Sequence, residues 1–130
     1  MNALEITSEF YGLWGRGKVA QMIERFIAAQ SVLDNPLPEP IRFAGSFEGP
    51  TGFALYARQI LETLKVEKFS IDEILVDGER VVVIGRETSR VLATNKRYTM
   101  AWVHVLTVRN GCVEHMREYN DTAAMAAAFV

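Results

Sequence analysis

Two histidines and a small set of carboxylates carry the acid–base chemistry open to this 130-residue chain. His104 stands inside an apolar run, with Trp102 and Leu106 on its own face if the segment is extended. An imidazole buried there needs a hydrogen-bond partner, because an unpaired buried polar group costs about 1–3 kcal/mol. It is therefore either a satisfied core histidine or a pocket acid, base or donor, since imidazole changes charge near neutrality. Glu118 shares its face with Met116 and Asn120, while His115, Arg117 and Tyr119 point the other way. Alternation alone does not say which of these two faces is buried. Asp34 precedes Asn35-Pro36, where a turn-capping role competes with a catalytic one. Arg86 shares a face with Val82 and Ile84, which points to a buried partner or to a snorkelling side chain.

Other chemistries find no support. The histidines differ in strand parity, and no Cys or His cluster has metal-ligand spacing. There is no phosphate-cradling glycine loop, dinucleotide fingerprint or G-x-S-x-G elbow. No metal or cofactor is expected.

The elements that must position these residues read clearly. Ala3, Ile6, Phe10, Leu13 and Trp14 recur at helical spacing behind Asn2 as a cap, and Gly15-Arg16-Gly17 ends that helix. Val19, Met22, Ile23, Phe26 and Ile27 form a second stripe. The chain turns extended near 31–34, and the prolines at 36, 38 and 40 forbid a helix. Gly49-Pro50 opens a third helix, with Phe53, Tyr56, Ala57, Ile60, Leu61 and Leu64 as its expected buried stripe. Beyond Leu64 the period becomes two. Strands are predicted near 65–77, 80–90, 96–109 and 112–120, joined by turns at Asp77-Gly78-Glu79, Ala93 to Lys96 and Asn110-Gly111. The alanine-rich tail from Thr122 could close as a short helix. This is an α+β pattern, three helices leading into a four-strand antiparallel meander. Strand 96–109 is apolar on both faces, so a second surface must cover Ala101, Val103 and Val105.

Composition agrees with one folded domain over 1–130: 49% hydrophobic, 23% charged, net charge −2. The acidic balance argues against nucleic acid, and no apolar run nears the roughly 20 residues needed to span a membrane. The lone Cys112 cannot form an internal disulfide, and the N-terminal stretch has no basic region like that of a signal peptide. A cytoplasmic protein is expected.

The stretch from Trp102 to Thr122, WVHVLTVRNGCVEHMREYNDT, resembles the ending "hxHhhTVRDGKIxxxREYxDT" of the SnoaL-like group in the ketosteroid isomerase and nuclear transport factor 2-like superfamily. Phe47-Glu48-Gly49-Pro50 is similar to that group's "F-x-G-x-x-a" segment. The resemblance implies a cystatin-like cone: three N-terminal helices packed on a curved antiparallel sheet, a deep apolar pocket for a small hydrophobic ligand, and a homodimer through the sheet's outer face. Ser31 to Pro36 resembles the "VEDP" strand of ketosteroid isomerases, which places Asp34 at their general base. Phe10 falls at their first oxyanion tyrosine, with Tyr11 adjacent, and His104 falls at their second donor. Met116 to Asp121 is similar to the "WRDYFD" of limonene epoxide hydrolases, which implies Glu118 as a catalytic carboxylate and Arg86 as their arginine, with Thr88 in place of their second carboxylate. SnoaL-type cyclases pair a last-strand carboxylate with a histidine on the preceding strand, a pairing that Glu118 and His104 fit.

The expectation is an isomerase- or cyclase-like acid–base site built on Asp34, His104 and Glu118. Phe10, Tyr11, Phe26, Tyr56, Arg86, Trp102, Met116 and Asn120 would contact the ligand. A non-catalytic binding module and epoxide-hydrolase-like water activation are the alternatives.

Overall fold

The computed structural model describes residues 1–130. Helix α1 (Ala3–Gly15) starts at Asn2, whose side chain accepts from the backbone N–H of Glu5 while Glu5 returns the bond to the Asn2 N–H. This reciprocal cap satisfies two donors that the helix cannot. α2 (Val19–Phe26) and α3 (Gly49–Thr63) follow, α3 with proline in its first turn as expected. In α3 the stripe of Phe53, Tyr56 and Ala57 is buried, Ile60 is half-buried and Leu61 is exposed. Leu61 is thus a correction to the expected stripe.

The period-two segments form β3 (Leu64–Asp77), β4 (Arg80–Val91), β5 (Arg97–Arg109) and β6 (Cys112–Asn120), an antiparallel meander. The sheet extends further than the meander. β1 (Val32–Asn35) and β2 (Gly45–Glu48) form a hairpin, and β1 runs parallel to β6. The strand order is β2-β1-β6-β5-β4-β3. Four residues are too short to announce themselves by alternation, so only the extended character of β1 was legible. The tail closes as α4 (Thr122–Ala128), capped by Asp121.

The helices cover one face of this sheet, making a curved α+β fold. Two register shifts in β3, at Val66/Lys68 and Ile71/Glu73, bend its edge around the helices. Gly85 on β4 lies opposite Ile71 beside the second shift. A β-carbon there would stand 2.2 Å from the Ser70 carbonyl oxygen and 2.3 Å from Cζ2 of Trp102, so only glycine permits the close approach. The inner residues of β5 (Tyr98, Met100, Trp102, His104, Leu106) are buried. On its outer face Ala101 is exposed, and Val103 and Val105 are half-buried. No helix is long and apolar enough to cross a membrane.

Candidate functional site

Strand register brings the two most promising groups together. His104 on β5 lies directly opposite Glu118 on β6, and both are buried on the helix-covered face. The imidazole Nε2 is 3.4 Å from Glu118 Oε1. From α1, the Tyr11 hydroxyl lies 2.7 Å from His104 Nδ1. From α3, the Tyr56 hydroxyl donates to Glu118 Oε2. The result is a continuous buried chain: Tyr11, His104, Glu118, Tyr56.

Stacking holds the imidazole in place. Its ring lies 4.1 Å from Trp102 and 5.9 Å from Tyr11, both nearly parallel to it. With the ring neutral, Nδ1 accepts from Tyr11 and Nε2–H faces the carboxylate. With the ring protonated, Nδ1–H donates to the Tyr11 oxygen and frees the phenolic proton for another acceptor. Burial, followed by the charge of Glu118, pushes both tyrosines well above their usual pKa. They therefore remain donors. Burial also pushes Glu118 up, but His104 and hydrogen bonds from Tyr56 and Asn120 outweigh it and hold the carboxyl below its ordinary value. Glu118 is an ionised, hydrogen-bonded carboxylate buried at the cavity wall.

These groups line a cavity of about 920 Å³, in which 16 of 26 lining residues are hydrophobic. The exposed lining residues Gly15, Leu61, Val66 and Phe69 place its mouth between α1, α3 and the β3 edge. Tyr11, Tyr56, His104, Met116, Glu118 and Asn120 all contribute to the wall. Trp102, expected to contact the ligand, does not line the cavity: it is buried behind His104, stacked between it and Phe69.

Four other sequence candidates stand elsewhere. Asp34 is outside the cavity: β1 buries Leu33 and Asn35, so the intervening residue points outward. There it binds His115 Nε2 at 2.7 Å, and that bond holds its carboxyl below the usual range. Arg86 is also on the outer face, exposed and paired with Asp72 at 3.0 Å, so of its two alternatives the buried partner is the one that fails, and the residue does not line the cavity. Phe10 and Phe26 are core residues that do not line the cavity. Tyr11, next to Phe10, is the residue that reaches the histidine.

Two inward groups escaped the sequence reading. Asn35 accepts from the Asn120 amide at 3.1 Å and so braces the residue beside Glu118. Glu87 lines the cavity and accepts from Ser89 and Tyr98. The signal for Glu87 was its shared parity with Val81 and Val83. No group of three His, Cys, Asp or Glu side chains is arranged to hold a metal ion.

A family model for the SnoaL-like domain matches residues 7–116, a span that includes the tyrosines, the histidine and most of the sheet. The chain belongs to the SnoaL-like domain family. Its fold is similar to that of an NTF2-like protein from Burkholderia xenovorans LB400, at 31% identity and TM-score 0.87, covering 97% of this chain and 94% of the other. An NTF2-like protein from Burkholderia thailandensis E264 matches at 21% identity and TM-score 0.87, over 100% and 98%. TerC, co-crystallised with polyporic acid, matches at 18% identity and TM-score 0.82, over 97% and 96%. The latter two likenesses concern the fold. Among curated proteins no sequence match is found. In this SnoaL-like chain the histidine and last-strand carboxylate therefore sit on a shared scaffold, while the chemistry rests on its own side chains.

Proposed function

We propose that the cavity binds a small apolar carbonyl compound and catalyses proton transfer at the carbon beside the carbonyl, an isomerase- or cyclase-type reaction. The observation that carries this reading is the buried Tyr11–His104–Glu118–Tyr56 chain at the wall of an apolar cavity. Glu118, ionised and shielded from water, takes the proton from carbon. The enolate oxygen that results needs a donor, which Tyr11 supplies with His104 behind it. That donation uses the imidazolium form, in which Nδ1–H donates to the Tyr11 oxygen and the phenolic hydrogen turns to the enolate; the proton taken up by Glu118 then returns to carbon to complete the isomerisation. No cofactor takes part in these steps.

The assembly we propose is a homodimer through the outer face of the sheet, in a cytoplasmic setting. Its support is the set Leu75, Val76, Val82 and Val105, which with Asp77 and Arg80 lines a shallow outer groove. The lone Cys112 fits the setting.

The test uses 2-tetralone, an apolar ketone with acidic C–H bonds. The protein should accelerate exchange of those hydrogens in D2O, and Glu118→Gln should lose about a hundredfold or more of the acceleration. Tetralone that binds with no exchange would make the cavity a binding module. Exchange that survives Glu118→Gln would remove the carboxylate from the mechanism.

A further inference from the structure

Glu87 is the carboxyl that the reaction proposed above leaves unused. It lies on the inward face of β4, opposite Met100 on β5 and Phe69 on β3, in a largely apolar part of the wall. Both of its protein hydrogen bonds end on one oxygen. The Ser89 hydroxyl donates to Oε2 at 2.7 Å and the Tyr98 hydroxyl donates to the same atom at 2.8 Å. Oε2 is thus an acceptor twice over. Oε1 has no partner in the chain and is not among the closed-off buried polar atoms. A proton on this carboxyl belongs on Oε1, at the cavity wall.

We propose that Glu87 is the second polar anchor of the cavity, donating from Oε1 to a carbonyl or hydroxyl oxygen of the ligand. The substrate class is then a two-ring-sized apolar molecule with a polar group at each end. This rests on the preceding section only for the Glu118 end of the ligand.

The surroundings raise the proton affinity of Glu87. Burial raises the pKa of Glu87, opposed by its two hydroxyl donors and by His104, while the negative charge of Glu118 adds to the rise. The groups that bear on it are Glu118 from β6, His104 and Tyr98 from β5, and Tyr56 from α3. On β3, Lys68 and Glu67 line the mouth, and Glu67 is tied to Arg97 at 2.7 Å. Glu87 is shifted up and Glu118 down, the direction that separates a donor from a base. Glu87 pairs with Met100 and Glu118 with His104, four residues apart along β5 (roughly 13 Å at about 3.4 Å per residue), and the two carboxyls stand on the two strands that flank β5.

Fluorescence titration with 2-naphthol and 6-acetyl-2-naphthol tests the anchor. The phenol mimics an enol at Glu118, and the acetyl oxygen reaches for Glu87. In the parent the acetyl group should tighten binding about tenfold at mildly acidic pH, and the advantage should fade as Glu87 ionises. Glu87→Gln, which keeps an N–H donor, should retain the advantage at every pH. Glu87→Leu should abolish it. An acetyl advantage that survives Glu87→Leu, or a parent that binds neither naphthol, overturns the proposal. Glu118→Gln separates the two readings: unchanged 2-naphthol affinity there counts against Glu118 and leaves the acetyl comparison intact. Infrared difference spectra against Glu87→Gln need no ligand. A protonated-carboxyl C=O band at the mildly acidic pH of the titration supports the donor, and its absence there overturns it.

Discussion

The indole of Trp102 occupies the space that a β-carbon on Gly85 would need. That relationship sets the site, because the same indole stacks on His104 at 4.1 Å. Gly85→Ala should therefore destabilise the fold by about 1–3 kcal/mol through overpacking and tilt the imidazole away from Glu118. Trp102→Ala should cost more, roughly 3–5 kcal/mol, because it empties a fully buried ring site. Urea denaturation measures both. A loss under about 0.5 kcal/mol in Gly85→Ala would mean that the β4–β5 contact is loose.

His104 is one of the groups that keep Glu118 ionised, so His104→Gln should raise the pKa of the Glu118 carboxyl. Carboxyl carbon NMR follows that titration directly. A lowered carboxylate pKa also has a stability consequence. Its contribution is present above the unfolded-state pKa and is lost as pH falls through the folded value. Glu118→Gln should cost on the order of 1–3 kcal/mol at neutral pH and progressively less in acid. A pH-independent difference between the two proteins would rule out this linkage.

Asp34 gives the contrasting case. Its carboxyl is held low by His115 on the outer face, so Asp34→Asn should leave naphthol affinity and tetralone exchange within about twofold of the parent. A hundredfold loss of exchange would return Asp34 to the chemistry by a route the cavity does not display.

The proposed dimer makes its own demand. Val105→Arg places a further charge against Leu75, Val76 and Val82 in the outer groove and should convert a two-chain species into one-chain material in sedimentation at tens of micromolar. A parent that sediments as one chain removes the interface.

Local pattern carried a large part of this architecture. Asn2 announced the first cap, Pro50 the start of α3, and Asn110-Gly111 a hairpin, because each depends on neighbours within a few residues. Alternation also put His104 on the Trp102 face and His115 opposite Glu118, since strand side chains keep a period of two. Which face of β6 is buried was undecidable from its own residues. Packing against α3 settled it, by bringing Tyr56 onto Glu118 across 62 positions of sequence. Asp34 and Arg86 went the other way for a similar reason. Each sits one residue from an inward position, Asn35 and Glu87, and a one-residue change of phase exchanges core for solvent. Residue type and spacing could nominate the carboxylates, but they could not aim them. That required the pairing of β1 with β6 and of β4 with β5, long-range contacts that leave no mark on local sequence.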